Sequence, residues 1–330
     1  MEKELIQKFL EAFAVGDSFG KATEYCSRTE IAEAYSSITE IFPPSESLSH
    51  KDILHGHVTD DTEQVVYLIR EYSDKGRVDS YDTAMCLLKW FKETDAIKYM
   101  GPSSLRALTY IEDGGDIEKA GINGTTCGGI MRSPAAFLFS NDENAVENTV
   151  RCLKPTHNTA LAMEAAIAYT SALMEASKDG SSVSTIIKKA IDGSLIGYGY
   201  GNRERTNGVG PSMSSRLLFL QKVIPLLKND EELKVLLYDV LGTTLSSIDC
   251  ASAAFAIFIY TDGDVLRTIQ LATETGGDTD TIACLAAGLS ALYSKGHNIP
   301  QHMVKLVAES NNIDFSYLAD LVVNYQEEHK

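Results

Sequence analysis

Apolar positions along this chain recur at spacings of three and four residues, the period of helices that bury one face. No stretch of any length shows the strict alternation of a half-buried strand. The first helix is expected from about 3 to 19, with Leu5, Phe9, Ala12, Phe13 and Gly16 as its inward stripe. Further helices are predicted near 61–76, 80–93, 103–112, 156–176, 213–228, 230–241, 249–260, 263–274, 278–294 and 315–327. Pro43, Pro44 and several serines make 36–57 a loop. The alternation of glycine and tyrosine between Gly193 and Pro211 reads as a second long loop or surface insertion. Its tyrosines either stack on a base or stand on a mobile surface. With no solenoid repeat and no linker, the pattern predicts an all-α protein, a compact multi-helix orthogonal bundle forming a single domain over 1–330.

Two helix starts carry unusual chemistry. Thr275-Gly276-Gly277-Asp278-Thr279-Asp280-Thr281 places two carboxylates and several hydroxyls directly before the apolar stripe Ile282, Leu285, Ala286, Leu289, Leu292 and Tyr293. Gly276 and Gly277 let the incoming backbone turn tightly. At a cap the chain is not yet helical, so Asp278, Asp280 and Thr281 can converge on one point. Thr59-Asp60-Asp61-Thr62 repeats the design before the stripe Val65, Leu68, Ile69 and Tyr72. One such stretch is no more than an acidic cap favoured by the helix dipole. Two of them suggest a hard-cation site, because four gathered carboxylates repel unless a cation sits among them. An all-oxygen donor set suits Mg²⁺, or Mn²⁺, better than zinc.

Charge narrows the function classes. There are 29 basic and 46 acidic residues, a net charge of −17, which disfavours non-specific binding to nucleic acid or anionic membrane. The longest apolar run, Ala251 to Tyr260, is half of the ~20 residues needed to cross a bilayer. No signal peptide is expected, and none of the six cysteines forms a Cys-x-x-Cys pair. Their scatter through apolar helices fits reduced, buried thiols and a cytoplasmic location.

Three further stretches stand out. Gly16-Asp17-Ser18-Phe19-Gly20 sets an acid on an inward helix face among small residues, with Glu24 just beyond. Asp17 is either a paired core group or part of a site. Cys127-Gly128-Gly129-Ile130-Met131-Arg132 follows a glycine-rich turn whose N–H groups could hold phosphate, although taken alone it reads as a tight helix connection. Thr156-His157 opens a helix, where His157 either contacts a ligand or serves at the cap. His55 and His57, two apart in a loop, read as ordinary polar residues.

Taken in order, these motifs resemble the ADP-ribosylglycohydrolase family, which includes dinitrogenase-reductase-activating glycohydrolases and protein ADP-ribosyl hydrolases. The resemblance spans most of the chain. It implies an all-α fold with a cleft for two Mg²⁺ ions. It makes Thr59, Asp60, Asp61, Asp278, Asp280 and Thr281 the metal ligands, with Asp280 as the bridge. The backbone of Cys127, Gly128, Gly129, Ile130 and Met131 would hold the diphosphate, and His157 would line the ADP-ribose pocket. Many family members carry Asn in place of Cys127. The Gly193–Pro211 stretch matches nothing in the family pattern.

The implied reaction is hydrolysis of the N- or O-glycosidic bond between ADP-ribose and a protein or small-molecule acceptor. Cleavage at the ribose C1 passes through an oxocarbenium-like state. Asp60, Asp61 and Glu24 are the candidate acids and bases, while the metals fix the sugar and activate water. ADP-ribose would be the product. Nucleic acid and membrane are disfavoured as partners. The rivals are a two-metal phosphohydrolase of a nucleotide-like substrate and a non-catalytic ADP-ribose-binding or structural relative.

Overall fold

The computed structural model describes residues 1–94, 99–203 and 209–329, with side chains for all of these except 202 and 203. The described residues form helices and connecting turns, with no strand beyond one isolated bridge between Thr126 and Ser246. In chain order the helices are α1 (Lys3–Gly20), α2 (Arg28–Ala34), α3 (Asp60–Lys75), α4 (Ser80–Glu93), α5 (Pro102–Glu112), α6 (Ile117–Ala120), α7 (Ser133–Leu138), α8 (Ala145–Leu153) and α9 (Ala160–Ala176). They continue as α10 (Val183–Arg203), α11 (Met213–Val223), α12 (Asp230–Val235), α13 (Ser247–Thr261), α14 (Val265–Thr273), α15 (Thr279–Tyr293), α16 (Gln301–Asn311) and α17 (Phe315–Glu328). None is long and apolar enough to cross a membrane.

The centre is built from helices that are apolar on every side. α9, α13 and α15 are buried along nearly their whole length, as is α1 from Phe9 onward. A helix without a polar face must be surrounded by other helices. The amphipathic helices, α3, α4, α14 and α17 among them, form the surrounding shell. One core cluster runs from Ile6 in α1 to Val322 in α17, so the two chain ends share it.

Small residues set the closest crossings. A Cβ on Gly16 would lie 2.7 Å from the Ala283 carbonyl oxygen, and one on Gly20 would lie 2.4 Å from that of Thr279. The glycines of the Gly16–Gly20 motif therefore let α1 press its backbone against the start of α15, which is where the acids stand.

The stretch expected to be a loop from 193 onward is helical through Arg203 in α10. Its remaining part, 204–208, lies outside the described residues. Gly193, Gly197 and Gly201 are four apart and share one face. Added Cβ atoms would meet the Ile167 carbonyl oxygen at 2.6 Å, that of Met163 at 2.5 Å and the Ala160 Cα at 2.3 Å. The glycines are the contact stripe of α10 on α9 rather than loop residues. The periodic pattern also missed α2, α6, α7, α8 and α16. The 36–57 stretch is irregular, as expected.

Candidate metal centre and active-site cleft

Thr59 is the N-cap of α3, its hydroxyl oxygen accepting from the Asp61 N–H at 3.4 Å. Asp60 and Asp61 thus stand in the first helical turn. At the start of α15, Gly276 and Gly277 both adopt φ +83°, and a Cβ on Gly277 would lie 2.1 Å from the Thr243 carbonyl oxygen. Asp278 is the residue before the helix, yet its side chain makes no capping hydrogen bond. Its Oδ2 instead receives the Cys250 thiol at 2.9 Å. The capping explanation for Asp278 therefore fails, and its carboxylate is directed elsewhere.

It is directed into a narrow cleft lined by Glu24, Asp60, Asp61, Asp278, Asp280 and Thr281 on its acidic side. Oxygens of Glu24, Asp278 and Asp280 lie within 4.8 Å of one another, and all three residues are buried. Cys127, Gly128 and Met131 of the glycine turn line the same cleft, with Tyr25, Tyr99, Gly101 and Leu245 around them. The site thus joins residues from six separate stretches of chain.

Backbone contacts stitch these stretches together. The Tyr25 N–H donates to the Gly277 carbonyl at 2.7 Å, and the Gly277 N–H donates to that of Cys26 at 3.0 Å. Tyr25 takes φ +62°, a left-handed conformation rare for a non-glycine residue and found where function over-determines the backbone. Glu24 is thereby held beside Asp278, and the exposed ring of Tyr25 stands at the cleft mouth. The Cys127 N–H donates to the Leu245 carbonyl at 2.8 Å and the Ser247 N–H to that of Thr125 at 3.0 Å, which fastens the glycine turn to the segment leading into α13.

Electrostatics follow from burial and crowding. Burial, and then the neighbouring Asp278, push Asp280 up to about 7. Burial followed by the charge of Asp280 raises Glu24, Asp60 and Asp61 well above the usual carboxylate range. A buried ammonium stands beside the cluster: Lys21, whose Nζ donates to the carbonyls of Leu54, at 3.3 Å, and His57. Burial pulls Lys21 down to about 8 against the opposing charges of Asp17 and Asp280. A single ammonium cannot neutralise this cluster. Divalent cations held by all-oxygen donors would do so, and the residues present fit them.

The site also differs from expectation in several places. Thr59 does not line the cleft; it is fully buried, and its hydroxyl lies 2.9 Å from Asp17 Oδ1 and 3.3 Å from Asp61 Oδ2. It orients the acids. His157 is turned into the core behind the glycine turn, with Thr126 and Thr156 hydroxyls on its two ring nitrogens at 2.9 and 2.7 Å. Both nitrogens are spent, so it braces the pocket wall from behind instead of lining it. Gly129 and Ile130 likewise lie behind the lining residues, and a Cβ on Gly129 would meet the His157 Cβ at 2.9 Å. Cys127, Gly128, Met131, Glu24, Asp60, Asp61, Asp278, Asp280 and Thr281 line the cleft.

Several contributors carried no site role in the sequence reading. His50, from the irregular 36–57 stretch, bonds Glu24 through Nε2. Arg132, wholly buried, donates to the Gly128 carbonyl at 2.7 Å and to Gln64 at 3.5 Å, and Gln64 donates to Asp60 at 3.3 Å. This chain of bonds couples the glycine turn to the start of α3. Cys250 and Tyr99 complete the surroundings. A lone histidine or cysteine far away in sequence carries no pattern that would reveal it.

The ADP-ribosylglycohydrolase family model matches residues 2–330, and the chain belongs to that family. It is 27% identical over 339 residues to YegU, an uncharacterised protein of Escherichia coli strain K12, covering 100% of this chain and 99% of that protein. An uncharacterised protein of Archaeoglobus fulgidus is 24% identical over 329 residues, covering 99% and 97%. A solved structure described as an ADP-ribosylglycohydrolase-related protein complex superposes with TM-score 0.72 at 19% identity over 98% of both chains, a likeness of fold. Family and fold together support a hydrolase of the glycohydrolase type.

Proposed function

We propose that this protein hydrolyses the glycosidic bond between ADP-ribose and an acceptor, releasing ADP-ribose, with Mg²⁺ as its cofactor. The observation that carries this reading is the convergence of Glu24, Asp60, Asp61, Asp278 and Asp280 on one cleft beside the Cys127–Met131 turn. An acidic cage next to the backbone of a glycine turn suits a sugar attached to a diphosphate.

Asp60, Asp61, Asp278, Asp280 and Thr281 would hold the Mg²⁺. The ions would supply positive charge that orients ribose hydroxyls and lowers the pKa of a bound water. The protein's own groups do the rest. The Cys127 N–H is engaged by Leu245 and the Met131 N–H by the Cys127 carbonyl, so among the cleft-lining residues of the turn the diphosphate contact falls to the Gly128 N–H. Glu24 is the acid best placed to move a proton, because His50 behind it offers an onward hydrogen-bond partner. Asp60 and Asp61, anchored to Gln64 and Cys284 at 3.3 Å each, keep their geometry while they bind cation. The ring of Tyr25 at the mouth limits access of the acceptor.

The test is to incubate the protein and Mg²⁺ with a panel of ADP-ribosylated proteins and small molecules and to identify the products by mass. Release of intact ADP-ribose, abolished by EDTA, is the expected result. Release of phosphate or AMP would replace this reading with a two-metal phosphohydrolase. Binding of ADP-ribose without turnover of any substrate would make the chain a non-catalytic relative.

A further inference from the structure

Asp278 belongs to a second buried group of donors. The thiols of Cys127 and Cys250 and the carboxylate of Asp278 lie within 4.8 Å of one another. None of the three comes from the same element: Cys127 is in the glycine turn, Cys250 in α13, and Asp278 before α15. The backbone holds them in place independently of any ligand. The antiparallel bridge between Thr126 and Ser246, the Cys127 N–H to Leu245 carbonyl bond and the bonds from Ser247 Oγ to the Thr125 and Thr126 carbonyls at 3.0 and 2.6 Å fix the two thiol-bearing segments together. The Asp278 N–H donates to the Thr243 carbonyl at 2.8 Å and fixes the third.

The thiols already point at the carboxylate. Cys250 Sγ donates to Asp278 Oδ2 at 2.9 Å, and it also lies 3.1 Å from the Thr244 carbonyl. Thr281 Oγ1 lies 3.8 Å from Cys127 Sγ. Two sulfurs and one carboxylate make a donor set for a soft or borderline cation, not for Mg²⁺. Tetrahedral zinc, with bonds of roughly 2.0–2.3 Å, sets its donors roughly 3.5 Å apart, so small side-chain rotations close the triad around an ion. The fourth position opens toward the cleft that Cys127 and Asp278 line.

We infer that Cys127, Cys250 and Asp278 form an inhibitory site for a soft divalent cation such as Zn²⁺ or Cd²⁺, distinct from the Mg²⁺ centre and sharing Asp278 with it. Binding exchanges the two thiol protons for two metal–sulfur bonds and releases those protons to solvent. It diverts the charge of Asp278 from the hard-cation centre and places an ion against the glycine turn. The inhibitory consequence rests on the hydrolase reading above, whereas the donor site itself does not.

The experiment titrates Cd²⁺ into the protein at saturating Mg²⁺, following the ultraviolet thiolate-to-Cd²⁺ charge-transfer band and proton release, with turnover measured in parallel. One equivalent of Cd²⁺ should raise the band to saturation and release about two protons. Cys250→Ser should lose most of the band and need at least tenfold more Cd²⁺ for half-inhibition of its own Mg²⁺-supported turnover. Cys26→Ser, which removes the one partly exposed thiol, should keep the band. Cys250→Ala serves if the serine variant fails to fold. No band at one equivalent, or an undiminished band in the Cys250 variant, overturns the site. A protein that shows the band but cleaves no ADP-ribosylated substrate keeps the site and refutes the hydrolase reading instead. A band without inhibition of an active enzyme refutes the inhibitory role.

Discussion

The carboxylate of Asp17 closes the start of a helix whose N-cap, Thr59, lies 42 residues later: it accepts from the Thr59 N–H at 3.0 and 3.1 Å, from the Thr59 hydroxyl at 2.9 Å and from the Thr62 N–H at 3.0 Å. An acid buried in α1 thus supplies the N-terminal partners of α3 and fixes the direction in which Asp60 and Asp61 leave it. Asp17 is a positioning residue. Asp17→Ala should cost about 1–3 kcal/mol, the scale for leaving buried donors unpaired. Mg²⁺ affinity should fall with it. Denaturant unfolding in EDTA and calorimetric Mg²⁺ titration measure the two effects. A variant with unchanged unfolding and unchanged Mg²⁺ binding would remove Asp17 from this role.

Asp280→Asn tests the proposed bridge. Relief of repulsion among buried carboxylates should raise the melting temperature of the metal-free protein, while the Mg²⁺-induced rise expected of the wild type should disappear. Turnover should fall by at least about a hundredfold. Melting with EDTA and with Mg²⁺, beside product assays, checks each part. Wild-type Mg²⁺ response together with wild-type turnover would return Asp280 to an ordinary first-turn residue.

Cys127→Ser should keep turnover within about tenfold of wild type, well short of the loss expected on removing a nucleophile. The hydrogen bond with Cys250 lowers the Cys127 thiol, but burial and the charges of Asp278 and Asp61 outweigh it and leave it above its ordinary value. A protonated thiol is no nucleophile. A loss beyond about a hundredfold would reopen that role.

Gly197→Ala separates a helix–helix contact from an exposed helix. In an exposed helix the change gains about 0.5–1 kcal/mol. Here the added Cβ would sit 2.5 Å from the Met163 carbonyl oxygen and 2.8 Å from the Glu164 Cα, both backbone. Overpacking of that kind costs about 1–3 kcal/mol. Urea unfolding decides the sign, and a gain in stability would contradict the packing of α10 on α9.

Glu11 predicts an acid-sensitive element away from the cleft. Burial works to raise its carboxyl, but hydrogen bonds from His297, Gln7 and Lys8, with the charge of Lys8, prevail and hold it at about 2 against a reference of 4.5. A carboxyl depressed by folding stabilises the fold above its unfolded value and loses that contribution as pH falls through the folded one. Glu11→Gln should therefore melt below wild type near neutral pH. The gap should narrow between 4.5 and about 2. A gap that stays constant across that window would show that the charge on Glu11 is not what stabilises.

The sequence alone determined the helical class and the family, because both rest on local features. Apolar residues at helical spacing report a buried face wherever the helix packs, and the Thr59–Thr62 and Asp278–Thr281 clusters advertise their acids within four residues each. What tertiary structure decided is which neighbour each residue meets. Whether Gly193, Gly197 and Gly201 sit in a loop or on a helix depends on α9 offering a backbone for them to touch, and glycine's weak helix propensity masks that outcome. His157 faces the core and not the cleft because Thr126 and Thr156 occupy both ring nitrogens, partners that helical periodicity does not reveal. His50 beside Glu24, and Cys250 beside Asp278, are contacts between residues 26 and 28 positions apart, set by how the chain doubles back on itself. Local pattern specifies elements and their chemistry; the assembly of a site from six stretches is settled only by packing.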